Sequence, residues 1–329
     1  MKDFTVEGFF NVLDETATII KEELDITYLE ALAETGENMF QGEVLQDDLH
    51  DLVKRKLSKQ YESVQLSLTA KETIRKSYQL VILKGMKENV QPNHQMTPDS
   101  IGLLMTFLLE KFLHEKTELT ILDPTVGTGN LLVTIMNRLH ETFSLGYGVD
   151  VDDVLIRLAY VSANLLEQPI QLYNQDSLEP LFVDPVDVVV SDLPVGYYPN
   201  DERAKSFALQ ANQGHSYAHH LLIEQSINYT KPGGYLFFLI PNGLFESEYA
   251  ADLRSYLKDE AYIQGILQLP TSLFKNERNA KSILIIQKKS ADVRAPKEVL
   301  LASLPKMSDM RAMETILNKI NEWIKENKM

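Results

Sequence analysis

The chain has 329 residues, of which 44% are hydrophobic and 24% charged; it has no cysteine and a formal net charge of −15. That composition suits about two folded domains of ~150 residues. It excludes a disordered chain, a disulfide scaffold, a cysteine nucleophile and a thiolate metal site. No apolar run approaches the ~18 residues of a spanning helix, which predicts no membrane association. The N-terminal MKDFTVEGFF lacks the charged-then-apolar pattern of an export signal. With the absence of cysteine, these features predict a cytoplasmic protein. The charge is uneven: residues 1–90 carry 11 basic and 17 acidic groups, residues 91–269 carry 9 and 23, and residues 270–329 carry 12 and 7. A free-standing nucleic-acid binder shows a basic footprint instead.

Residues 1–90 predict an all-helical N-terminal domain. Phe9, Val12, Leu13, Thr16, Ile19 and Ile20 recur at helical spacing; so do Leu49, Leu52, Val53 and Leu57, and then Ile74, Tyr78, Val81 and Ile82. Gly36 and Gly42 mark a predicted turn. Lys54, Arg55, Lys56 and Lys59 read as a solvated helix face. Gln91-Pro92-Asn93 reads as a linker. Thr97-Pro98-Asp99 then starts a helix, with Thr as cap, Pro at the first helical position and Asp in the first turn.

From Leu119, short apolar strands alternate with amphipathic helices. The strands are expected at Leu119–Leu122, Gly146–Val149, Ile170–Tyr173, Val186–Val190, Tyr235–Ile240, Ile263–Leu267 and Ser282–Gln287, with helices near 130–143, 153–166, 216–230 and 246–258. This alternation predicts a Rossmann-like, doubly wound, mostly parallel seven-stranded sheet. Thr271–Lys281 is too short for a crossover helix, so the last strand is expected to be antiparallel. Val299–Ser303 is a further strand candidate, and a terminal helix follows. The expected domains are 1–90, a catalytic domain over 91–289, and an extension over 290–329.

Ligands of such sheets bind at the carboxyl ends of strands near the switch point. The first strand runs into Asp123-Pro124-Thr125-Val126-Gly127-Thr128-Gly129. Two glycines allow a sharp turn and close approach of a ligand. A dinucleotide loop wants a third glycine for tight packing, and Leu132 stands there. The looser loop suits the amino-acid end of S-adenosylmethionine (SAM). Asp150 ends the second strand 21 residues after Gly129, near the spacing of a ribose-binding acid. Asp152 and Asp153 are better placed to cap the next helix. Asp176, beside Ser177, stands where it can accept an exocyclic adenine amine, or it is simply a turn residue. The buried fourth strand ends Ser191-Asp192-Leu193-Pro194-Val195-Gly196-Tyr197-Tyr198. Residues 199–215 form a long polar stretch read as a substrate lid. His215, His219 and His220 make no complete metal set and read as solvent-facing residues at a helix start.

In their order, Gln95-Met96-Thr97-Pro98, Asp123 to Gly129, Gly148-Val149-Asp150, Asp192-Leu193-Pro194-Val195, Gly233-Gly234-Tyr235, Ile240-Pro241-Asn242-Gly243 and Leu269-Pro270 with Phe274 resemble the N6-adenine DNA methylase family. The likeness extends to the modification subunit of type I restriction systems and covers roughly residues 91–289. It implies a SAM-dependent N-methyltransferase acting on adenine N6 of DNA. The implied cofactor residues are Thr97, Pro98, Asp123, Thr125, Gly127 and Gly129 at the methionine end. Asp150 is implied at the ribose, and Val151, Asp176 and Ser177 at the adenine. Asp192 and the backbone of Leu193 or Pro194 are implied to orient the target amine. No metal is implied.

The sequence departs from that pattern in two places. Leu193 replaces the family's first proline, which predicts a looser loop. Val195 replaces the aromatic that stacks on a flipped base. Tyr197 and Tyr198 either take over that role or pack beneath the loop. With only 40 residues after Lys289, a separate recognition domain does not fit, so DNA binding is expected to be weak alone and target recognition to come from a partner protein. The competing readings are a catalytically degenerate SAM-binding protein and a methyltransferase of proteins or small molecules.

Overall fold

Thr27 Oγ1 accepts from the Glu30 N–H while the Glu30 carboxylate accepts from the Thr27 N–H. This reciprocal cap satisfies two otherwise orphaned donors and starts one of the N-terminal helices. The computed structural model describes residues 5–88, 96–113, 116, 118–139, 143–274, 276 and 279–328. Helices α1 (Val6–Leu24), α2 (Tyr28–Gln41), α3 (Asp51–Glu62) and α4 (Lys71–Glu88) come first, followed by α5 (Asp99–Phe112). Strand β1 (Glu118–Asp123), α6 (Asn130–Arg138), β2 (Phe143–Asp150), α7 (Asp153–Leu165) and β3 (Ile170–Asn174) continue the chain. Then come β4 (Val186–Asp192), α8 (Asp201–Ala204), α9 (Ala218–Asn228), β5 (Thr230–Pro241) and α10 (Ala250–Glu260). Finally β6 (Ala261–Gln268), β7 (Lys281–Lys288), β8 (Leu300–Ser303) and α11 (Met310–Lys328) complete the described chain. The predicted linker Gln91-Pro92-Asn93, and Gln95, lie outside the described residues.

The chain divides into two units. The first comprises residues 1–102, 126–141 and 148–174; the second comprises 103–125, 142–147 and 175–329. In the first unit, Phe9, Leu13, Ile20, Leu32, Leu57, Ile74 and Tyr78 of the N-terminal helices share a core with Leu158, Val161 and Leu165 of α7. Gly36 is not in a turn. It sits inside α2, where an added Cβ would come within 2.1 Å of a Val161 methyl carbon. Glycine there lets α2 and α7 pack in close contact. Gly42 does end α2, in the left-handed conformation at φ 75°. Arg157 fastens the same pair of helices through Glu34 at 2.8 Å and Glu37 at 3.3 Å. Helix α2 is an element that the apolar spacing did not single out.

The strands form one sheet in the order β3-β2-β1-β4-β5-β7-β6-β8, so it has eight strands where seven were expected. The additional strand is the short edge β8, which pairs parallel to β6 from Gly265↔Leu300 to Gln268↔Ser303. Strand β4 runs parallel to β1 and β5. Strand β7 is antiparallel to both β5 and β6, in agreement with the short segment before it. In the second unit, Leu236 to Ile240 of β5 are buried throughout. A strand covered on both faces reads as a continuous apolar run. Phe112 meets the rings of Tyr235 and Phe237 edge-on at 5.5 and 5.8 Å. The strand order reverses between β1 and β4, which puts the switch point at Asp123 and Asp192.

Candidate functional site

In the first unit the glycine loop opens α6. Gly127 and Gly129 have φ of 52° and 79°, the left-handed region that side-chain-bearing residues avoid. At Gly129 an added Cβ would also press on the Ala159 backbone at 3.2 Å, whereas at Gly127 it would meet nothing within 4 Å. The Gly127 N–H donates to Asp150 Oδ2 at 2.7 Å, and the Asp152 N–H donates to Asp150 Oδ1 at 3.0 Å. Burial lifts the Asp150 carboxyl above its ordinary range, and these two backbone donors pull it back only in part. Asp152 caps α7 through the Val154 and Leu155 N–H groups, as expected, so Asp150 is not the cap. Asn130 Nδ2 donates 2.8 Å to the carbonyl of buried Thr97. This brings the 97–98 turn to the start of α6. Pro98 is exposed, and so is Val151, at 74%.

The second unit carries the remaining residues. Asp123 is buried and accepts the Thr125 N–H at 3.1 Å. The Thr125 hydroxyl pairs with the Ser191 hydroxyl at 2.5 Å and reaches the Asp192 carbonyl at 3.4 Å. The ends of β1 and β4 are thereby laced together at the switch point. The Ser177 hydroxyl donates to the Pro124 carbonyl. Asp176 accepts the Leu178 N–H at 2.9 Å and the Tyr198 hydroxyl at 2.5 Å. Burial and then that carboxylate drive the Tyr198 hydroxyl's pKa well up. The Asp192 carboxylate pairs with the Lys281 ammonium.

Leu193 does not loosen the loop. Its N–H donates to the Leu239 carbonyl at 3.2 Å, extending the β4–β5 ladder by one residue, and its side chain is fully buried. A proline there has no N–H to give. Pro194 is exposed, and Val195 is 59% exposed. The two tyrosines separate: Tyr198 is 6% exposed and tied to Asp176, whereas Tyr197 is 61% exposed. The Tyr197 ring stacks on Tyr217, with centroids 5.1 Å apart and planes 12° from parallel. A β-bridge between these two residues fixes the stack.

Two expectations beside this loop are corrected. Residues 199–215 are not an unattached polar lid. Phe207 and Leu209 are buried, and the Glu224 carboxylate of α9 accepts the Ala208 and Leu209 N–H groups, both at 2.8 Å. His219 and His220 do not face solvent: both are buried, and burial pushes each pKa down to about 4. Helix α9 packs against β5 and is buried from His219 to Ile227, so its first turn is covered where an isolated amphipathic helix would be wet. Asn130, Ser191, Tyr217 and Lys281 were not singled out from sequence. The first two adjoin motif residues, which was the available signal. Lys281 lies 89 residues from Asp192, and nothing short of strand pairing connects them.

Two family models match. Residues 7–86 match the YtxK N-terminal helical domain, and residues 76–326 match N-6 DNA Methylase. The uncharacterized protein YtxK of Bacillus subtilis (strain 168) is 51% identical over 324 residues, covering 98% of each chain. A Listeria monocytogenes structure, described as a candidate class I S-adenosylmethionine-dependent methyltransferase, is also 51% identical. It has a TM-score of 0.91 over 97% of this chain and 98% of that one. The methyltransferase subunit of a type I restriction-modification system from Streptococcus thermophilus shares the fold at 17% identity. Its TM-score is 0.69 over 98% of this chain and 74% of that chain.

Proposed function

We propose, for a chain that belongs to the N-6 DNA methylase family and is by that membership a methyltransferase, that it binds SAM and methylates adenine N6 of DNA. The observation that carries the reading is Asp192 at the carboxyl end of β4, held at the switch point by Ser191, Thr125 and the Leu193 ladder bond. The residues present fit the cofactor. Asp150 is a carboxylate fixed by two backbone N–H groups and suited to a ribose diol. Gly127 leaves room where a side chain would stand. The family resemblance, rather than the packing, assigns Thr97, Pro98, Asp123, Thr125 and Gly129 to the methionine end and Val151, Asp176 and Ser177 to the adenine.

When bound, SAM supplies an electrophilic methyl group. Asp192 accepts a hydrogen bond from the target amine, and the Leu193 or Pro194 carbonyl accepts a second. Two acceptors orient the nitrogen lone pair for in-line attack, which is catalysis by positioning. Tyr198 braces the loop from beneath, and exposed Tyr197, stacked on Tyr217, is the aromatic residue nearest in sequence to Val195, whose own position has no aromatic face. Residues 91–289 form the catalytic part, 1–90 the helical domain and 290–329 an extension. Sequence recognition comes from a partner protein, and the enzyme works in the cytoplasm.

Val195 also favours a second reading, a SAM-binding protein without catalysis. A radiolabelled methyl-transfer assay on host DNA, RNA and protein extracts separates them. Label in DNA adenine is expected. Label in protein alone, or none despite measurable SAM binding, would shift the conclusion to the corresponding alternative.

A further inference from the structure

Lys281 begins β7, and its register partner on β5 is Pro241, two residues beyond Leu239, the partner of Asp192. Its side chain therefore reaches back diagonally over the end of β5 to set its ammonium on Asp192 Oδ1. Both side chains are only one-fifth exposed, at 21% each. An amine already donates to the carboxylate that, in the reading above, receives the acceptor amine.

We propose that Lys281 is a specificity-determining residue that holds the acceptor position of Asp192 until a phosphate-bearing substrate draws it away. The inference rests on the role given to Asp192 under the proposed function. Its chemistry has two parts. An acceptor nitrogen gains positive charge as it takes up a methyl group, and an ammonium on the same carboxylate opposes that charge, which favours opening of the pair. An ammonium leaving a partly buried carboxylate is better compensated by another anion than by water alone. A strand phosphate provides one, whereas a free nucleoside or a neutral amine does not. Lys281 thus favours adenine within a nucleic-acid strand over adenine alone.

Calorimetry with adenosine and with a short single-stranded oligodeoxyadenylate tests this, both titrated into the full chain saturated with S-adenosylhomocysteine. Wild type is expected to favour the oligonucleotide. Lys281→Met should bind adenosine roughly two- to fivefold more tightly, the scale of one partly exposed ion pair, and lose part of the oligonucleotide preference. Lys281→Arg, which keeps the charge, should behave as wild type. Unchanged S-adenosylhomocysteine affinity in both variants establishes that they are folded. Equal adenosine affinity in wild type and Lys281→Met would overturn the role of Lys281 while leaving the adenine reading intact. Absence of binding of either adenine ligand by every variant would overturn the adenine reading, and the latch with it.

Discussion

The hydroxyl of Tyr198 donates to the carboxylate of Asp176 at 2.5 Å, tying the loop after β4 to the turn after β3. Because Tyr198 is almost fully buried, this bond braces the segment that follows Asp192. Hydrogen bonds to charged groups contribute about 1.5–3 kcal/mol. Tyr198→Phe should therefore destabilise the chain by about that amount in urea unfolding. Tyr197→Ala, at an exposed site, should stay within about 1 kcal/mol of wild type. Equal losses for the two would contradict the division of labour between these neighbours.

Asp150 gives the second prediction. Its carboxylate joins the Gly127 loop to the start of α7, so losing it would disturb that loop as well as the proposed ribose contact. Asp150→Ala should weaken S-adenosylhomocysteine binding by roughly 1–3 kcal/mol, as expected for loss of a charged hydrogen-bond partner. Calorimetry that finds unchanged affinity would remove Asp150 from the ribose site.

What the sequence conveyed and what it withheld separate by range. Strands β1 to β7 were legible because each is a short apolar run bounded by polar turns, and the cap at Asp152 because it acts within a few residues. The edge strand β8 was visible as a candidate, but its partner β6 is more than 30 residues away. Polarity misled where the fold buries polar groups. His219 and His220 looked wet from composition, and residues 199–215 looked unanchored because Glu224 reaches them from the next helix. Leu193 looked like lost rigidity, since ladder bonding by its N–H follows only from the β4–β5 register. Lys281 was beyond reach for the same reason.

Buried His219 and His220 predict acid sensitivity. Their pKa values near 4 lie below the ordinary 6.5, so the fold favours the neutral rings. The unfolded chain then binds protons that the folded chain does not. Stability is complete above about pH 6.5 and is lost as pH falls from there towards 4, by up to ~1.4 kcal/mol per pH unit for each ring. His219 Nδ1 and His220 Nε2 have no hydrogen-bond partner among the described residues. His220→Leu should accordingly flatten the profile of melting temperature between pH 7 and 4.5 without a large loss at pH 7. A variant profile parallel to that of wild type would assign the acid loss to carboxylates instead.

Duplex DNA should bind weakly to the purified chain. Lys and Arg contacts to phosphate supply most non-specific affinity, and residues 91–269 carry 9 such groups against 23 acids. Fluorescence anisotropy at physiological salt should give a dissociation constant weaker than roughly 10⁻⁵ M, within the non-specific range. Tight, sequence-selective binding by the chain alone would remove the need for a recognition partner.

The strongest test of catalysis lies at Val195. The loop that carries it is well held: Leu193 is in the ladder, Tyr198 is anchored, and Asp192 remains at the strand end. The missing element is an aromatic face at the fourth position of the motif, where Val195 stands exposed. Base–aromatic stacking is worth about 1–3 kcal/mol, which corresponds to roughly one to two decades in rate. Val195→Tyr should raise methyl transfer to single-stranded adenine substrates by that factor. The gain on duplex should be smaller, since unpairing the base still costs a few kcal/mol. Asp192→Ala should abolish transfer in either background. A fast wild type that Tyr197→Ala stops would identify the Tyr197–Tyr217 stack as the base-holding face and make Val195 a bystander. If neither wild type nor Val195→Tyr methylates any nucleic acid while both bind SAM, the chain is a cofactor-binding protein or acts on a different acceptor.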